Sequence, residues 1–272
     1  MLEAADLEYS YESGIKAIEK INIKVKRGER VVILGENGAG KSTLFLLLGG
    51  VLKQSSGRIV LNGKEIKGKK DFKELREKVG IVFQDPDVQL FAPTVFQEIA
   101  FGPRNLKINE VEVEKIVKKA ATECDICNLL ERSIHFLSYG QKKRVSIADI
   151  LAMNGDFIIL DEPTVWLDPY HKKAVIEKMT ALAKEGKGVV VSTHDVDFAY
   201  SWADYIYIMK NGKIVLDGTP ESIFSDKEVI LQYNLEFPLI KKAYDVLRDE
   251  LGKREGNIIS IDDFMKKIKE EN

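Results

Sequence analysis

The sequence predicts an α/β domain built around a mainly parallel β-sheet, and two observations carry this prediction. Short β-branched runs are mostly separated by segments of helical periodicity, an order typical of parallel strands joined by helical crossovers. The first of these runs is bounded by Gly28 and Gly35 and leads into a glycine-rich loop and a helix-like segment. In order, the runs are Glu29–Leu34, Arg58–Leu61, Val79–Phe83, Phe157–Leu160, Gly188–Ser192, Tyr205–Met209 and Lys213–Leu216.

Two helical additions to this sheet are predicted. An inserted helical subdomain covers residues from about Thr94 to Asn154 and includes the lysine-rich amphipathic segment Asn109–Thr122. After the last β-like run we expect C-terminal helices. Apolar residues recur there at helical spacing, and a serine and an aspartate have the spacing of a capping box; these residues are Ile240, Tyr244, Leu247, Leu251, Ser260 and Asp263.

Composition excludes several classes of protein. A hydrophobic fraction of 44% supports a sizeable core, and a net charge of −2 argues against a basic nucleic-acid-binding stripe. The longest apolar stretches, such as Leu44–Leu48, are far shorter than the roughly 20 residues of a membrane-spanning helix. Residues 1–11 alternate apolar and acidic side chains, unlike a secretory signal, so we expect the chain to stay in the cytosol.

Two cysteines, Cys124 and Cys127, form an isolated Cys-x-x-Cys pair in a polar, helix-like stretch. A zinc site needs about four ligands, and a redox pair would stand just after a strand at the start of a helix. Neither context is present in the sequence. We therefore expect two reduced thiols.

The segment from Gly35 to Ser42 fits the phosphate-binding pattern G-x-x-x-x-G-K-[ST] between a strand and a helix. Its glycines let main-chain N–H groups turn inward around phosphate oxygens at a helix N-terminus. Lys41 then reaches the β- and γ-phosphates, and the Ser42 hydroxyl ligates Mg²⁺. A glycine-rich turn with a solvent-facing lysine is disfavoured by the eight-residue match. The predicted nucleotide-binding residues are Gly35, Glu36, Asn37, Gly38, Ala39, Gly40, Lys41, Ser42 and Thr43.

Two acids follow a second buried run. Asp161 and Glu162 stand where the strand Phe157–Leu160 emerges, beside the phosphate-binding strand of the predicted sheet. One acid can hold Mg²⁺ through its water shell, and the other can orient or deprotonate an attacking water. We assign Asp161 to the metal and Glu162 to the base. By itself this pattern also fits a strand end at solvent.

The segment Leu137-Ser138-Tyr139-Gly140-Gln141 resembles the signature motif of ABC ATPases. With the phosphate loop and the two acids, it identifies the chain as similar to the ATP-binding subunits of ABC transporters over residues 2 to 224. The resemblance implies a P-loop NTPase of ABC type, with an N-terminal antiparallel β portion beside the mainly parallel sheet. It also implies a nucleotide-binding domain over residues 1–225 and a C-terminal helical extension over 226–272.

Further site residues follow from the resemblance alone. Gln84 looks like the Q-loop glutamine that touches Mg²⁺ and the attacking water, and His194 looks like the switch histidine at the γ-phosphate. Leu167-Asp168 resembles the D-loop, and Tyr11 the aromatic that stacks on adenine. In the family two such domains pair head to tail, so Ser138, Gly140 and Gln141 would serve the ATP held by a second chain.

The Q-loop segment carries a narrower resemblance. Gln84-Asp-Pro-Asp-Val-Gln-Leu-Phe91, with Ala92-Pro-Thr-Val95 and Phe101-Gly-Pro103, looks like the ATPases of cobalt and nickel importers of the energy-coupling-factor type. This likeness implies ATP and Mg²⁺ as cofactors and a position on the cytoplasmic face of a membrane. It also implies an integral scaffold, a substrate-capturing subunit and a second ATPase chain, preferably a copy of this one. The alternative is a soluble ABC ATPase that acts on nucleic acid or ribosomes. Such proteins usually have a long coiled coil or a tandem second ATPase domain, and this sequence shows neither.

Three residues depart from the family pattern. Tyr139 replaces a glycine in the signature motif, Trp166 replaces a glycine before Leu167-Asp168, and Asp149 replaces a small residue on the following helix. None of them removes a phosphate, metal or base group. We expect them to affect the rate and the geometry of pairing.

Overall fold

The computed structural model describes residues 1–243. The strands are β1 Leu2–Ser10, β2 Lys16–Val25, β3 Arg30–Leu34, β4 Ser56–Leu61, β5 Lys64–Glu65, β6 Val79–Val82, β7 Phe157–Asp161, β8 Gly188–Thr193, β9 Tyr205–Lys210 and β10 Lys213–Gly218. The helices are α1 Lys41–Leu48, α2 Lys69–Lys78, α3 Pro86–Gln89, α4 Val95–Asn105, α5 Glu110–Glu123, α6 Tyr139–Ala152, α7 Pro169–Lys184, α8 Val196–Trp202, α9 Pro220–Ile223 and α10 Lys227–Gln232.

A six-stranded sheet forms the centre of the molecule in the order β10-β9-β3-β8-β7-β6. Strands β9, β3, β8, β7 and β6 are parallel, and only the edge strand β10 runs antiparallel to its neighbour β9. Strands β3, β7 and β8 are buried almost throughout, which explains why they read as continuous apolar runs instead of alternating ones. The mainly parallel sheet predicted from the sequence is confirmed.

A second, four-stranded sheet is antiparallel, in the order β2-β1-β4-β5. The run predicted over Arg58–Leu61 is a strand, but it belongs to this sheet and pairs with β1. Buried Ile18, Ile21 and Ile23 of β2 face the same core as Leu44 and Leu48 of α1. The antiparallel sheet therefore covers one face of the helix that follows the phosphate loop.

Helices α4, α5 and α6 form a layer with a hydrophobic core of its own, which we call the helical layer. Each helix begins at a side-chain cap: Thr94 accepts from the Gln97 amide, Asn109 from the Glu112 amide, and Ser138 from the Gln141 amide. Two short 3₁₀ turns, Cys127–Leu129 and Ile134–Phe136, connect α5 to α6. The predicted helical stretch is present as three helices, separated by residues 106–109 and by the segment that contains these two turns.

Only part of the predicted C-terminal extension can be compared with the structure. Helices α9 and α10 are present, residues 239–243 are helical, and Ile240 packs against the core beside α8. Tyr244, Leu247, Leu251, Ser260 and Asp263 lie outside the described residues. The domain boundary at residue 225 stays a prediction. Among the helices of residues 1–243, none is long and apolar enough to cross a membrane.

The Cys-x-x-Cys pair is not bonded. Cys124 and Cys127 are free, and Cys127 is exposed. Burial raises the pKa of the Cys124 thiol to about 12, so it stays protonated and unreactive at neutral pH.

The helical layer contains two acids close to one another. Glu98 is 1% exposed, and its carboxylate accepts hydrogen bonds from the Ala92 amide (2.6 Å) and the Phe91 amide (3.0 Å). Asp149 of α6 accepts one hydrogen bond, from Gln89 Nε2 at 3.4 Å. Desolvation, with the charge of Glu98 as a smaller cause, raises the pKa of Asp149 to about 7. Asp149, one of the three residues that depart from the family pattern, is thus an acid that is partly protonated at physiological pH.

We expect Gly57→Ala to destabilise the fold much more than Gly63→Ala. Both glycines have left-handed φ angles, +78° and +81°, so either substitution costs roughly 1 kcal/mol of backbone strain. A Cβ at Gly57 would also lie 2.2 Å from the Asp6 carbonyl oxygen, whereas one at Gly63 meets nothing within 4 Å. The free energy of unfolding in urea should fall by about 3 kcal/mol or more for Gly57→Ala and by about 1 kcal/mol for Gly63→Ala. Equal losses would contradict the bulged β1–β4 pairing.

We expect Asp149→Asn to stabilise the chain more at pH 8 than at pH 5. The folded chain keeps the Asp149 proton up to about pH 7, while the unfolded chain releases it near pH 4. Because the folded state then binds more protons in this interval, the carboxyl lowers stability as the pH rises from about 4 to 7. The difference in unfolding free energy between Asp149→Asn and the unchanged chain should shift by about 2–3 kcal/mol in favour of Asn between pH 5 and pH 8. Parallel stability curves would contradict the raised pKa.

Candidate functional site

A cavity opens at the edge of the six-stranded sheet where strands β3, β6 and β7 end. This is the edge at which parallel α/β sheets bind their ligands. The cavity brings together residues from three predicted motifs, namely the phosphate loop, the Q-loop glutamine and the two acids, with Tyr11 and residues of β2. Its lining residues are Tyr11, Ile15, Lys16, Ala17, Glu36, Asn37, Gly38, Gly40, Lys41, Ser42, Thr43, Gln84, Asp161, Glu162, Asn211 and Gly212.

The loop between β3 and α1 folds into a cradle of main-chain groups. Gly38 and Gly40 have φ angles of +83° and +103°, which a residue with a Cβ adopts only under strain. A Cβ at Gly40 would also meet the Ala17 carbonyl oxygen at 2.9 Å. Helix α1 begins at Lys41, two residues before the helix-like segment predicted from Thr43. The first turn of α1 therefore directs its free N–H groups into the cavity.

Lys41 lies over this cradle. It is 6% exposed, and its ammonium donates to the Gly35 carbonyl (2.5 Å) and the Glu36 carbonyl (3.1 Å). Desolvation lowers the pKa of Lys41, and the charges of Glu162 and Asp161 oppose that shift. The side chain is thus a buried cation held between the loop and two acids, placed to compensate phosphate charge.

Ser42 and Asp161 meet although 119 positions separate them in the chain. The Ser42 hydroxyl donates to Asp161 Oδ2 at 2.5 Å, and the Ser192 hydroxyl of β8 donates to Asp161 Oδ1. Asp161 is 6% exposed. A hydroxyl and a carboxylate side by side form the all-oxygen donor set that suits Mg²⁺.

Glu162 follows directly and has a strained backbone, with φ at +44°. It is 4% exposed, and the Ser192 hydroxyl accepts from its amide at 2.9 Å. His194 Nδ1 lies 3.0 Å from Glu162 Oε1, while the His194 side chain is 65% exposed. Strain at a buried acid that also contacts a histidine is typical of a functional position. The structure brings together the two residues that the sequence assigned to base and switch.

Tyr11 and Gln84 both line the cavity. The Tyr11 hydroxyl shares a 2.8 Å hydrogen bond with Thr43 Oγ1, and its ring packs edge-to-face on Tyr9 with centroids 5.1 Å apart. Tyr11 lines the cavity, whereas Tyr9, which packs against it, is not among the lining residues. Gln84 follows the end of β6 and reaches the same cavity.

The signature residues lie outside the lining of this cavity. Ser138 and Gln141 form a reciprocal capping box at the start of α6: Ser138 N donates to Gln141 Oε1 (2.9 Å), and Gln141 N donates to Ser138 Oγ (3.4 Å). Gly140 follows in the first turn. The segment presents a helix N-terminus with a fixed geometry to the surface.

Asp168 also lies apart from the cavity. It caps α7, accepting from the His171 amide at 3.0 Å, and its Oδ2 lies 2.5 Å from His171 Nδ1. These bonds hold the pKa of Asp168 below its usual range.

Trp166, two residues before Asp168, has a φ angle of +66° and is 75% exposed. Its ring contacts the Tyr139 ring edge-on, with centroids 6.2 Å apart. Two of the departures from the family pattern thus touch each other.

Sequence reasoning missed several residues of the site. Ser192 bonds to both acids, and its place at the end of a β-branched run was the signal that could have found it. Asn211 and Gly212 close the cavity from the β9–β10 turn and carry no motif. Lys143 of α6 is fully buried and donates to main-chain carbonyls of the Gln84 segment. In the sequence it is one of many lysines on a helix.

Comparison with known proteins agrees with this geometry. Residues 18–165 match the family described as ABC transporter. The chain is 45% identical, over 95% of its length and 94% of the relative's, to the energy-coupling factor transporter ATP-binding protein EcfA of Methanococcus maripaludis. The EcfA protein of Methanocaldococcus jannaschii is 46% identical, over 91% of this chain and 89% of that one.

Two solved structures share the fold. The cbiO1 protein of Clostridium perfringens, part of the ABC transporter complex cbiONQ, superimposes with a TM-score of 0.74 at 43% identity, covering 90% of this chain and 98% of that one. A dimeric ATP-binding cassette in a post-hydrolysis state, bound to ADP and Pi, superimposes with a TM-score of 0.74 at 26% identity, covering 81% and 99%. By its motifs, its fold and these likenesses, the chain belongs to the ABC transporter family and is an ATPase related to the energy-coupling factor ATP-binding proteins.

Proposed function

We propose that this chain hydrolyses ATP on the cytoplasmic face of a membrane to energise import through the membrane subunits of an energy-coupling-factor-type transporter, with cobalt or nickel ions as the cargo. The observation that carries the proposal is one cavity in which the phosphate cradle, the Ser42–Asp161 pair and Glu162 converge. The family relationship and the names of the relatives support the transport role.

The cavity has the chemistry that Mg²⁺ and ATP require. The cradle and Lys41 would bind the phosphates, and Tyr11 would stack on the adenine. Ser42 and Asp161, joined at 2.5 Å, would hold Mg²⁺ together with Gln84. The ion, when bound, would neutralise phosphate charge during transfer.

Glu162 is the proposed base. Its carboxylate is buried, its backbone is held by Ser192, and the contact with His194 fixes one oxygen. That leaves Oε2 to accept a proton from a water aimed at the γ-phosphorus. Phosphoryl transfer needs positioning and charge more than covalent chemistry, so a fixed acceptor opposite Lys41 suffices.

Two copies of the chain would complete two such sites. Ser138, Gly140, Gln141 and Asp168 line the surface instead of their own cavity, as expected if they serve the ATP of a partner. The helix N-terminus at Ser138 would meet a γ-phosphate across the pair. The dimeric cassette with ADP and Pi among the similar structures supports this pairing.

The surface around α3 and the start of α4 is the proposed contact with the membrane scaffold. Val88, Phe91 and Phe101 are 72%, 66% and 46% exposed, and the two phenylalanines pack edge-to-face with centroids 4.8 Å apart. An exposed aromatic patch next to Gln84 can pass motion of the membrane subunits to the site. The cobalt or nickel cargo rests on the sequence likeness of this same segment.

We expect Glu162→Gln to lower kcat for ATP by at least about 100-fold, since an amide cannot accept the proton of the water. ATP binding should be unchanged, because the cradle and Lys41 are untouched. Phosphate release measures the first quantity and equilibrium nucleotide binding the second. A rate within about threefold of the unchanged chain would remove Glu162 from the role of base.

We expect Phe91→Glu to abolish co-purification of a multi-span membrane scaffold and a small substrate-capturing protein when tagged chain is extracted from host membranes in mild detergent. Val51→Glu is the matched control: Val51 is 54% exposed but follows α1 at the opposite edge of the sheet, so it should leave recovery unchanged. Mass spectrometry identifies the recovered proteins. Recovery of nucleic acid or ribosomes in place of membrane subunits would overturn the transport role.

A further inference from the structure

Lys143 is a charged side chain buried completely in the structure, at 0% exposure. Its ammonium donates to the Phe83 carbonyl at 2.6 Å, the Gln84 carbonyl at 3.0 Å and the Asp161 carbonyl at 3.5 Å. A lysine has three N–H donors, so the three carbonyls satisfy it fully. Burying an ammonium is costly unless it is paired in this way.

The three carbonyls lie at the ends of two neighbouring parallel strands, β6 and β7. Lys143 itself belongs to α6 and lies in the second turn of the helix that begins at the signature segment. One side chain therefore joins the segment of Gln84, the strand end of Asp161 and the signature helix. Because Lys143 does not line the cavity, it would act only through the groups that it holds.

Further contacts also connect the segment after β6 with α6. The Tyr139 hydroxyl donates to the Gln84 carbonyl at 3.1 Å, so this oxygen accepts from two residues of α6. Lys142 pairs with Asp87 at 2.6 Å on the exposed side. The Gln89 side-chain amide links this segment to α6, since it accepts from Phe83 N at 3.0 Å and donates to the Ser146 carbonyl at 3.2 Å. The residues from Phe83 to Gln89 are thereby attached to α6 along its first half.

We propose that Lys143 is a positioning residue for ATP hydrolysis, fixing the main chain of Gln84 to the signature helix so that Gln84 and Ser138 move as one body. The inference rests on the proposed roles of those two residues. Gln84 faces the ATP of its own chain, and Ser138 would face the ATP of a paired copy. Through Lys143, closure of one site would set the geometry of the other.

The test is a double-mutant cycle on the purified full chain. Lys143→Met keeps the length of the side chain and removes the donors, which should misplace Gln84 and lower kcat by roughly 10-fold to 100-fold. The KM for ATP should stay within about twofold, because the cradle is intact. Lys119→Met is the matched control, since it removes the same charge from the helical layer, at a side chain that is 80% exposed, without touching the three carbonyls or the Gln84 segment. It should keep at least about half of the unchanged rate.

The cycle separates positioning from a general structural effect. If Lys143 acts through Gln84, then Lys143→Met should lower kcat by less than about threefold in the Gln84→Ala background. Losses that multiply in the double variant, or a near-normal rate for Lys143→Met alone, would overturn the inference. A normal rate for Gln84→Ala would instead overturn the site assignment on which it rests. If Lys143→Met does not fold, Lys143→Gln, which keeps two donors on a shorter arm, replaces it with the same criteria.

Discussion

The arrangement of the site depends on the hydrogen bond between the Ser42 hydroxyl and the Asp161 carboxylate. Ser42 lies in the first turn of α1 at the end of the phosphate loop, and Asp161 ends β7, two strands away from β3 in the sheet. The intervening strand β8 supplies Ser192, whose hydroxyl donates to Asp161 and accepts from the Glu162 amide. Strand order alone brings these groups to the same edge, and three short bonds then fix their relative positions. Any change that shifts β7 along β8 would move the metal-side acid and the base together.

Burial of charge is the main cost of this arrangement. Lys41, Lys143, Asp161 and Glu162 are each no more than 6% exposed. Each is matched by main-chain carbonyls, hydroxyls or an opposite charge close by, which is the condition under which buried ions are tolerated. The strained backbone at Glu162 adds to the cost. The core that offsets these terms comes from the β-branched strands and the apolar faces of α1 and α7.

Much of this could be read from the sequence because it depends on local patterns. A strand, a glycine-rich loop and a helix are contiguous, so the cradle was predictable residue by residue, and the parallel sheet followed from the order of elements. The membership of β4 in a separate antiparallel sheet was not predictable, because the four-residue run Arg58–Leu61 does not indicate which strand it pairs with. The contacts of Lys143 could not be predicted for a similar reason. They involve three main-chain carbonyls from distant segments, and the sequence around a helical lysine does not indicate such partners. The positions of Ser138 and Asp168 away from their own cavity also required three dimensions, although the family resemblance had implied them.

Trp166 has a consequence for observation of the molecule. The sequence has two tryptophans, and they lie in opposite surroundings. Trp202 is buried, stacked on Phe198 with ring centroids 5.2 Å apart, and covered by Arg30. Its fluorescence should therefore stay constant when the surface of the molecule is covered. Trp166 stands at the surface beside Asp168, held outward by its left-handed backbone and touched by Tyr139. The emission wavelength of an indole depends on the polarity around the ring, so a partner that covers Trp166 would shift its fluorescence maximum. In the proposed pairing of two copies, Trp166 would lie at the contact face and would report assembly by its own fluorescence, without a label.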